Sequence, residues 1–138
     1  MRRRAALFAL VAMLAATPAA TEPGTDDAAI RQVIDAQIAA FEVDDFTAAF
    51  DFASPAIRRM FQSPERFGRM VRQGYPMVHR PAEYRFLESR ARGDATLQRV
   101  LVTDATGRIH LLEYEMIETG GQVLINGVRL LRGADAGA

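Results

Sequence analysis

The sequence predicts an α+β domain: N-terminal helices packed on a curved, four-stranded antiparallel sheet, cone-like in outline. Three observations carry this. Apolar residues in the first half recur at three- and four-residue steps, the spacing of an amphipathic helix. In the second half they alternate with polar residues, the spacing of half-buried strands. The turns between those strands are short and mostly contain glycine, so successive strands pair antiparallel.

The chain opens on Met1-Arg2-Arg3-Arg4, followed by the uncharged run Ala5 to Ala16 and then Thr17-Pro18-Ala19-Ala20. A positive start, an apolar stretch and small residues make the pattern of a secretory signal over residues 1–20, cleaved near Ala19 or Ala20. The run is shorter than the roughly 20 residues that span a bilayer. A periplasmic or secreted location is therefore expected, with no membrane contact after cleavage. Residues 21–26 read as a linker, 27–132 as a single domain and 133–138 as a disordered tail.

Ile30, Val33, Ile34, Gln37, Ile38 and Phe41 define a helix over about residues 27–43. At about four turns it is long enough to lie across the sheet's concave face. Asp44-Asp45 ends it, and Asp45 starts a short helix over residues 46–52. Ser54-Pro55 and Ser63-Pro64 each supply an N-cap and a proline at the first helical position. Their nine-residue separation means short helices folded back on one another. Gly74 is the expected stop, and Tyr75-Pro76 an extended connection. Residues 82–91, 96–103, 108–117 and 122–131 read as strands. Tyr84, Phe86 and Glu88 share one face. His110, Leu112, Tyr114 and Met116 share another.

Composition excludes several functions. The chain has no Cys, so thiolate metal sites, thiol nucleophiles and redox pairs are absent. Its 17 acidic residues balance 17 basic ones, all of them Arg. Loss of Arg2, Arg3 and Arg4 leaves 14 against 17, near −3, which gives no reason to expect nucleic acid. No phosphate-binding glycine loop, nucleophile elbow or metal-spaced His pair occurs, so no cofactor or metal is expected.

Phe52-Ala53-Ser54-Pro55-Ala56-Ile57-Arg58, and then Met70-Val71-Arg72-Gln73-Gly74-Tyr75-Pro76-Met77-Val78-His79-Arg80-Pro81, resemble a family of exported bacterial proteins catalogued as domain of unknown function 4864. The resemblance covers about residues 27–131. That family has no established activity, so it implies no functional residue. The order of elements is also similar to the wider nuclear-transport-factor-2-like, cystatin-like cone fold, which holds isomerases, dehydratases and domains without catalysis.

The candidate site residues follow from chemistry alone. Arg69, Arg72 and Arg80 are candidates for an anion receptor; a solvated face paired to the acidic first helix explains them as well. Tyr75, Tyr84 and Tyr114 are candidate ligand contacts, and Tyr75 also suits a rim position closing the core. His79, His110 and Tyr114, with Glu88 or Glu113, are the candidate acid–base groups. The leading reading is a non-catalytic module for a small ligand or a protein partner. A small cavity enzyme is the first alternative. The second is a homodimer through the outer sheet face, where Leu87, Leu101, Ile109 and Leu111 are more apolar than a solvated face requires.

Overall fold

The computed structural model describes residues 25–132. The expected signal over residues 1–20, most of the expected linker and the expected tail over 133–138 lie outside the described residues. Five helices precede four strands: α1 (Thr25–Glu42), α2 (Phe46–Asp51), α3 (Pro55–Phe61), α4 (Pro64–Gly74), α5 (Pro76–His79), β1 (Glu83–Arg92), β2 (Ala95–Thr103), β3 (Ile109–Thr119) and β4 (Gln122–Leu131). The strands form one antiparallel meander in the order β1-β2-β3-β4. The α+β reading holds.

Element ends differ from the sequence reading by one or two residues, and two differences bear on the architecture. Thr25 and Asp26, assigned to the linker, belong to α1. The Tyr75-Pro76 connection is followed by the single helical turn α5, with Pro76 at its first position. Proline's fixed φ suits a first helical turn as readily as an extended segment, so the dipeptide alone did not distinguish them.

The core lies between the helices and one sheet face. Ile30, Ile34, Ile38 and Phe41 form the buried stripe of α1. They meet Val100, Val102, Leu112, Tyr114 and Met116 from the sheet. Asp44 ends α1 in the left-handed region (φ 56°), and the Asp44 and Asp45 amides return to the Phe41 and Ala40 carbonyls. Gly68 of α4 lies against Phe46 of α2: a Cβ at 68 would fall 2.6 Å from the Phe46 ring.

Two bulges alter the sheet. Phe86 pairs with Val100 and Ser89 with Gln98, so β1 carries one extra residue. Glu115 pairs with Gly127 and Met116 with Ile125, so β4 carries Asn126 as its extra residue. Each bulge bends its strand and shifts the alternation of faces beyond it. At the second bulge the helical layer joins the sheet. The Ile125 amide donates to the Phe52 carbonyl at 2.9 Å, and the Ser54 amide donates to the Ile125 carbonyl at 2.8 Å. Ser54 is fully buried. Its hydroxyl caps α3 by accepting from the Ile57 amide and donates to Asn126 Oδ1 at 2.7 Å.

Of the four apolar outer-face positions, only Ile109 is strongly exposed, at 66 %. Leu87, Leu101 and Leu111 are half-buried. The middle of that face is charged: Arg99, Glu113 and Arg129 stand side by side across β2, β3 and β4. The apolar outer patch expected from sequence is therefore smaller than its composition suggested.

Ser54→Ala removes a cap and a buried hydrogen bond, and is expected to cost about 2 kcal/mol. Ser63 caps α4 at an exposed bond to the Arg66 amide, and Ser63→Ala is expected to cost about 1 kcal/mol. Urea denaturation of both variants measures the difference. Gly68→Ala forces the Phe46 ring to move and is expected to cost about 1–3 kcal/mol in the same assay.

Candidate functional site

A cavity of about 180 Å³ lies between the helical layer and the sheet. Its walls are Phe41 of α1, Ile57 and Phe61 of α3, Phe67, Met70 and Val71 of α4, and Ile125 and Val128 of β4. Met60, 68 % exposed, stands at the mouth. No residue of α3 is buried, although Ile57, Met60 and Phe61 all line the cavity. The helix acts as a wall with solvent behind it.

Three polar side chains belong to the lining: Gln37, Tyr75 and Tyr114. Gln37 Nε2 donates to the Ala49 carbonyl at 3.1 Å. The Tyr75 hydroxyl donates to the Val128 carbonyl at 2.9 Å. Tyr114 is 0 % exposed, and its hydroxyl has no hydrogen-bond partner among the described residues. Burial pushes the Tyr114 phenol well above its ordinary value, so it remains a neutral O–H. Tyr114 sits on a central strand, paired with Gln98 and Val128, which holds its ring in place.

The cavity brings together Tyr75 and Tyr114 and leaves the other sequence candidates elsewhere. Arg69 is exposed on α4. Arg72 stacks its guanidinium over Phe46, 4.9 Å from the ring centre. Arg80 bonds the Phe41 carbonyl and Asp44 Oδ1. None of the three arginines lines the cavity. Tyr84 donates to Asp35 Oδ1 at 2.7 Å, and burial followed by that carboxylate pushes its phenol up.

Neither histidine reaches the cavity. His79 Nε2 lies 2.7 Å from Asp44 Oδ1, and its ring stacks on Phe46. His110, expected beside Tyr114, lies at the start of β3 with Nε2 2.8 Å from Asp104 Oδ2. Asp104 also gathers the Thr106 hydroxyl and the amides of Thr106 and Arg108.

The carboxylates are displaced for two reasons. The β1 bulge turns Glu88 away from the Tyr84 face, so it meets Arg99 at 3.3 Å. Ser89 takes the helix-facing place and donates to Asp27 of α1. Glu113 is buried on the outer face, where Arg129 and Arg99 bond it at 2.9 and 3.3 Å and Arg90 lies 3.7 Å away. Burial pushes its carboxyl up, and the bonds from Arg129 and Arg99 outweigh this and hold it below its ordinary value. Glu113 thus pins three strands by cross-strand charge pairing.

The sequence reading missed Gln37, Met60 and Val128 as cavity residues. Phe, Met and Val at helical or strand spacing signal a core, and spacing does not show where that core is incompletely filled. Among the described residues no group of three or more His, Asp or Glu is placed to hold a metal. None of the helices among the described residues is long and apolar enough to cross a membrane.

Residues 23–138 match the family model described as Domain of unknown function (DUF4864). The chain belongs to the DUF4864 family. No curated protein matches it by sequence. Among solved structures, the DUF4864 chain is similar to RPA3114, a SEC-C motif containing protein from Rhodopseudomonas palustris. The TM-score is 0.53 at 14 % identity, covering 72 % of this chain and 77 % of that one; at this identity the likeness concerns the fold alone. It is also similar to an NTF-2 like protein of unknown function from Burkholderia xenovorans LB400, with a TM-score of 0.44 at 19 % identity, covering 83 % and 95 %.

The Asp104 carboxyl is held well below the usual carboxylate range, first by the His110 side chain and then by the Thr106 hydroxyl and backbone amides. A lowered folded-state value stabilises the fold above the unfolded value and loses that stability as pH falls toward the folded one. Asp104→Asn is expected to melt below the wild type at pH 7. The gap should close progressively below about pH 4, as read by thermal unfolding monitored with circular dichroism.

Proposed function

We propose that this domain is a small-molecule-binding module whose site is the cavity between the helices and the sheet. The observation that carries the reading is the cavity itself, about 180 Å³ and walled mostly by Phe, Met, Ile and Val side chains. The apolar wall with few polar groups matches the usual make-up of a ligand pocket.

A cavity enzyme of isomerase or dehydratase type needs a base beside its ligand. The lining residues include no histidine and no carboxylate, and both histidines are paired with aspartates elsewhere. These facts favour binding over catalysis. The arginine start and apolar run of residues 1–20 support a periplasmic or secreted setting for that binding.

Toluene, a single apolar ring, tests the cavity directly. At ten times its Kd it is expected to stabilise the protein by about 1.4 kcal/mol, a rise of about 5 °C in Tm. Val128→Phe narrows the cavity and is expected to abolish the rise. A wild-type Tm that saturating toluene leaves unchanged would refute the binding reading.

A further inference from the structure

We propose that the cavity selects a neutral, single-ring compound carrying one hydrogen-bond donor, and that the side-chain oxygen of Gln37 accepts from it. This rests on the binding reading above and narrows it to a chemical class.

Gln37 interrupts the apolar stripe of α1, on the same face as Ile34 and Phe41. It is 3 % exposed and lines the cavity. A glutamine amide can make about four hydrogen bonds, two as donor and two as acceptor. One is made here, from Nε2 to the Ala49 carbonyl of α2 at 3.1 Å. A carbonyl can only accept, so this bond sets the sense of the planar amide: the nitrogen faces Ala49 and Oε1 is the other prong. Oε1 has no partner among the described residues. The unpartnered atoms sealed to less than 1 Å² of accessible surface are Arg58 Nε and the Tyr114 hydroxyl, so Oε1 keeps open surface where those two do not. In a residue this buried that lines the cavity, the open surface faces the cavity.

Size and charge complete the ligand class. A cavity of about 150 Å³ holds benzene, so one of about 180 Å³ takes one ring with a small substituent. No Arg, His, Asp or Glu belongs to the lining, so a cation such as an ammonium would be buried without a counter-charge, which is strongly unfavourable. The donor is therefore a neutral O–H or N–H. The Ala49 bond ties Gln37 to a second helix and holds its oxygen in place before the ligand arrives.

Phenol, anisole and toluene separate these terms by calorimetric titration. All three are one ring with one small substituent; phenol can donate, anisole can only accept, and toluene does neither. A hydroxyl buried without a partner would make phenol bind about tenfold more weakly than toluene. With Gln37 accepting, the wild type is expected to bind phenol as tightly as toluene, a comparison that needs no variant. Gln37→Met keeps the length of the side chain and removes its amide. In it phenol should fall about tenfold, while toluene and anisole keep their affinities; retained toluene binding shows that the cavity of the variant is intact. Phenol tenfold weaker than toluene in the wild type, or undiminished in Gln37→Met, would overturn the donor inference and leave the cavity reading standing. Anisole falling together with phenol would overturn it as well, because the contact would then be the second N–H of Gln37. Failure of both phenol and toluene to bind the wild type would overturn the inference and the binding reading together.

Discussion

The fold depends on a short seam in which Phe52 and Ser54, on either side of Ala53, bond the edge of β4 at Ile125. An edge strand presents unpaired backbone donors and acceptors that must find partners or water. Here the partner is the link between α2 and α3. The Asn126 bulge places the Ile125 amide and carbonyl toward that link, and the Ser54 hydroxyl bonds Asn126 directly. Asn126 in turn donates to Glu115 at 3.0 Å. One chain of bonds therefore joins the helical layer, the edge strand and β3. Ala53, Ile57 and Ile125 flank this seam and line the cavity, so the seam that closes the fold also sets one wall of the site.

The remaining polar interior follows the rule that buried polar groups are paired. Gln98 is buried on the helix-facing side of β2, and its Nε2 donates to the Leu87 carbonyl at the first bulge and to the Arg99 carbonyl. It supplies bonds that the irregular ladder leaves open. Glu113 is held by arginines from both neighbouring strands. Among the described residues two buried polar atoms lack partners, Arg58 Nε and the Tyr114 hydroxyl. Arg58 is half-buried on α3, where the rest of its guanidinium can meet solvent. Tyr114 is fully enclosed, so its free hydroxyl has no such outlet.

The histidines and aspartates serve the architecture at two corners. Asp44 occupies a left-handed turn at the end of α1 and receives both His79 and Arg80, which ties the first helix to the chain just before the sheet. Asp104 organises the β2–β3 turn and receives His110. In both cases a turn residue with a short carboxylate side chain collects nearby donors. These pairings take the ionisable groups away from the cavity and leave it apolar.

The sequence by itself determined the helices-then-meander order, the Ser54 and Ser63 caps and the buried stripe of α1. These follow from local chemistry: a serine before a proline, a 3.6-residue apolar period, alternation bounded by short turns. It offered all three tyrosines as ligand contacts, of which Tyr75 and Tyr114 line the cavity. The tertiary structure alone decided that Arg69, Arg72 and Arg80 lie outside the cavity lining and that both histidines are engaged by aspartates. It likewise placed Glu88 and Glu113 with arginines and enclosed the Tyr114 hydroxyl without a partner among the described residues. The physical reason is that each of these outcomes depends on non-local geometry. A single extra residue in β1 reverses which side Glu88 faces, and residues 35 apart in the chain, Asp44 and His79, meet only after the helices fold back. Periodicity reports which side chains are apolar; only packing reports where they fail to fill the space between them.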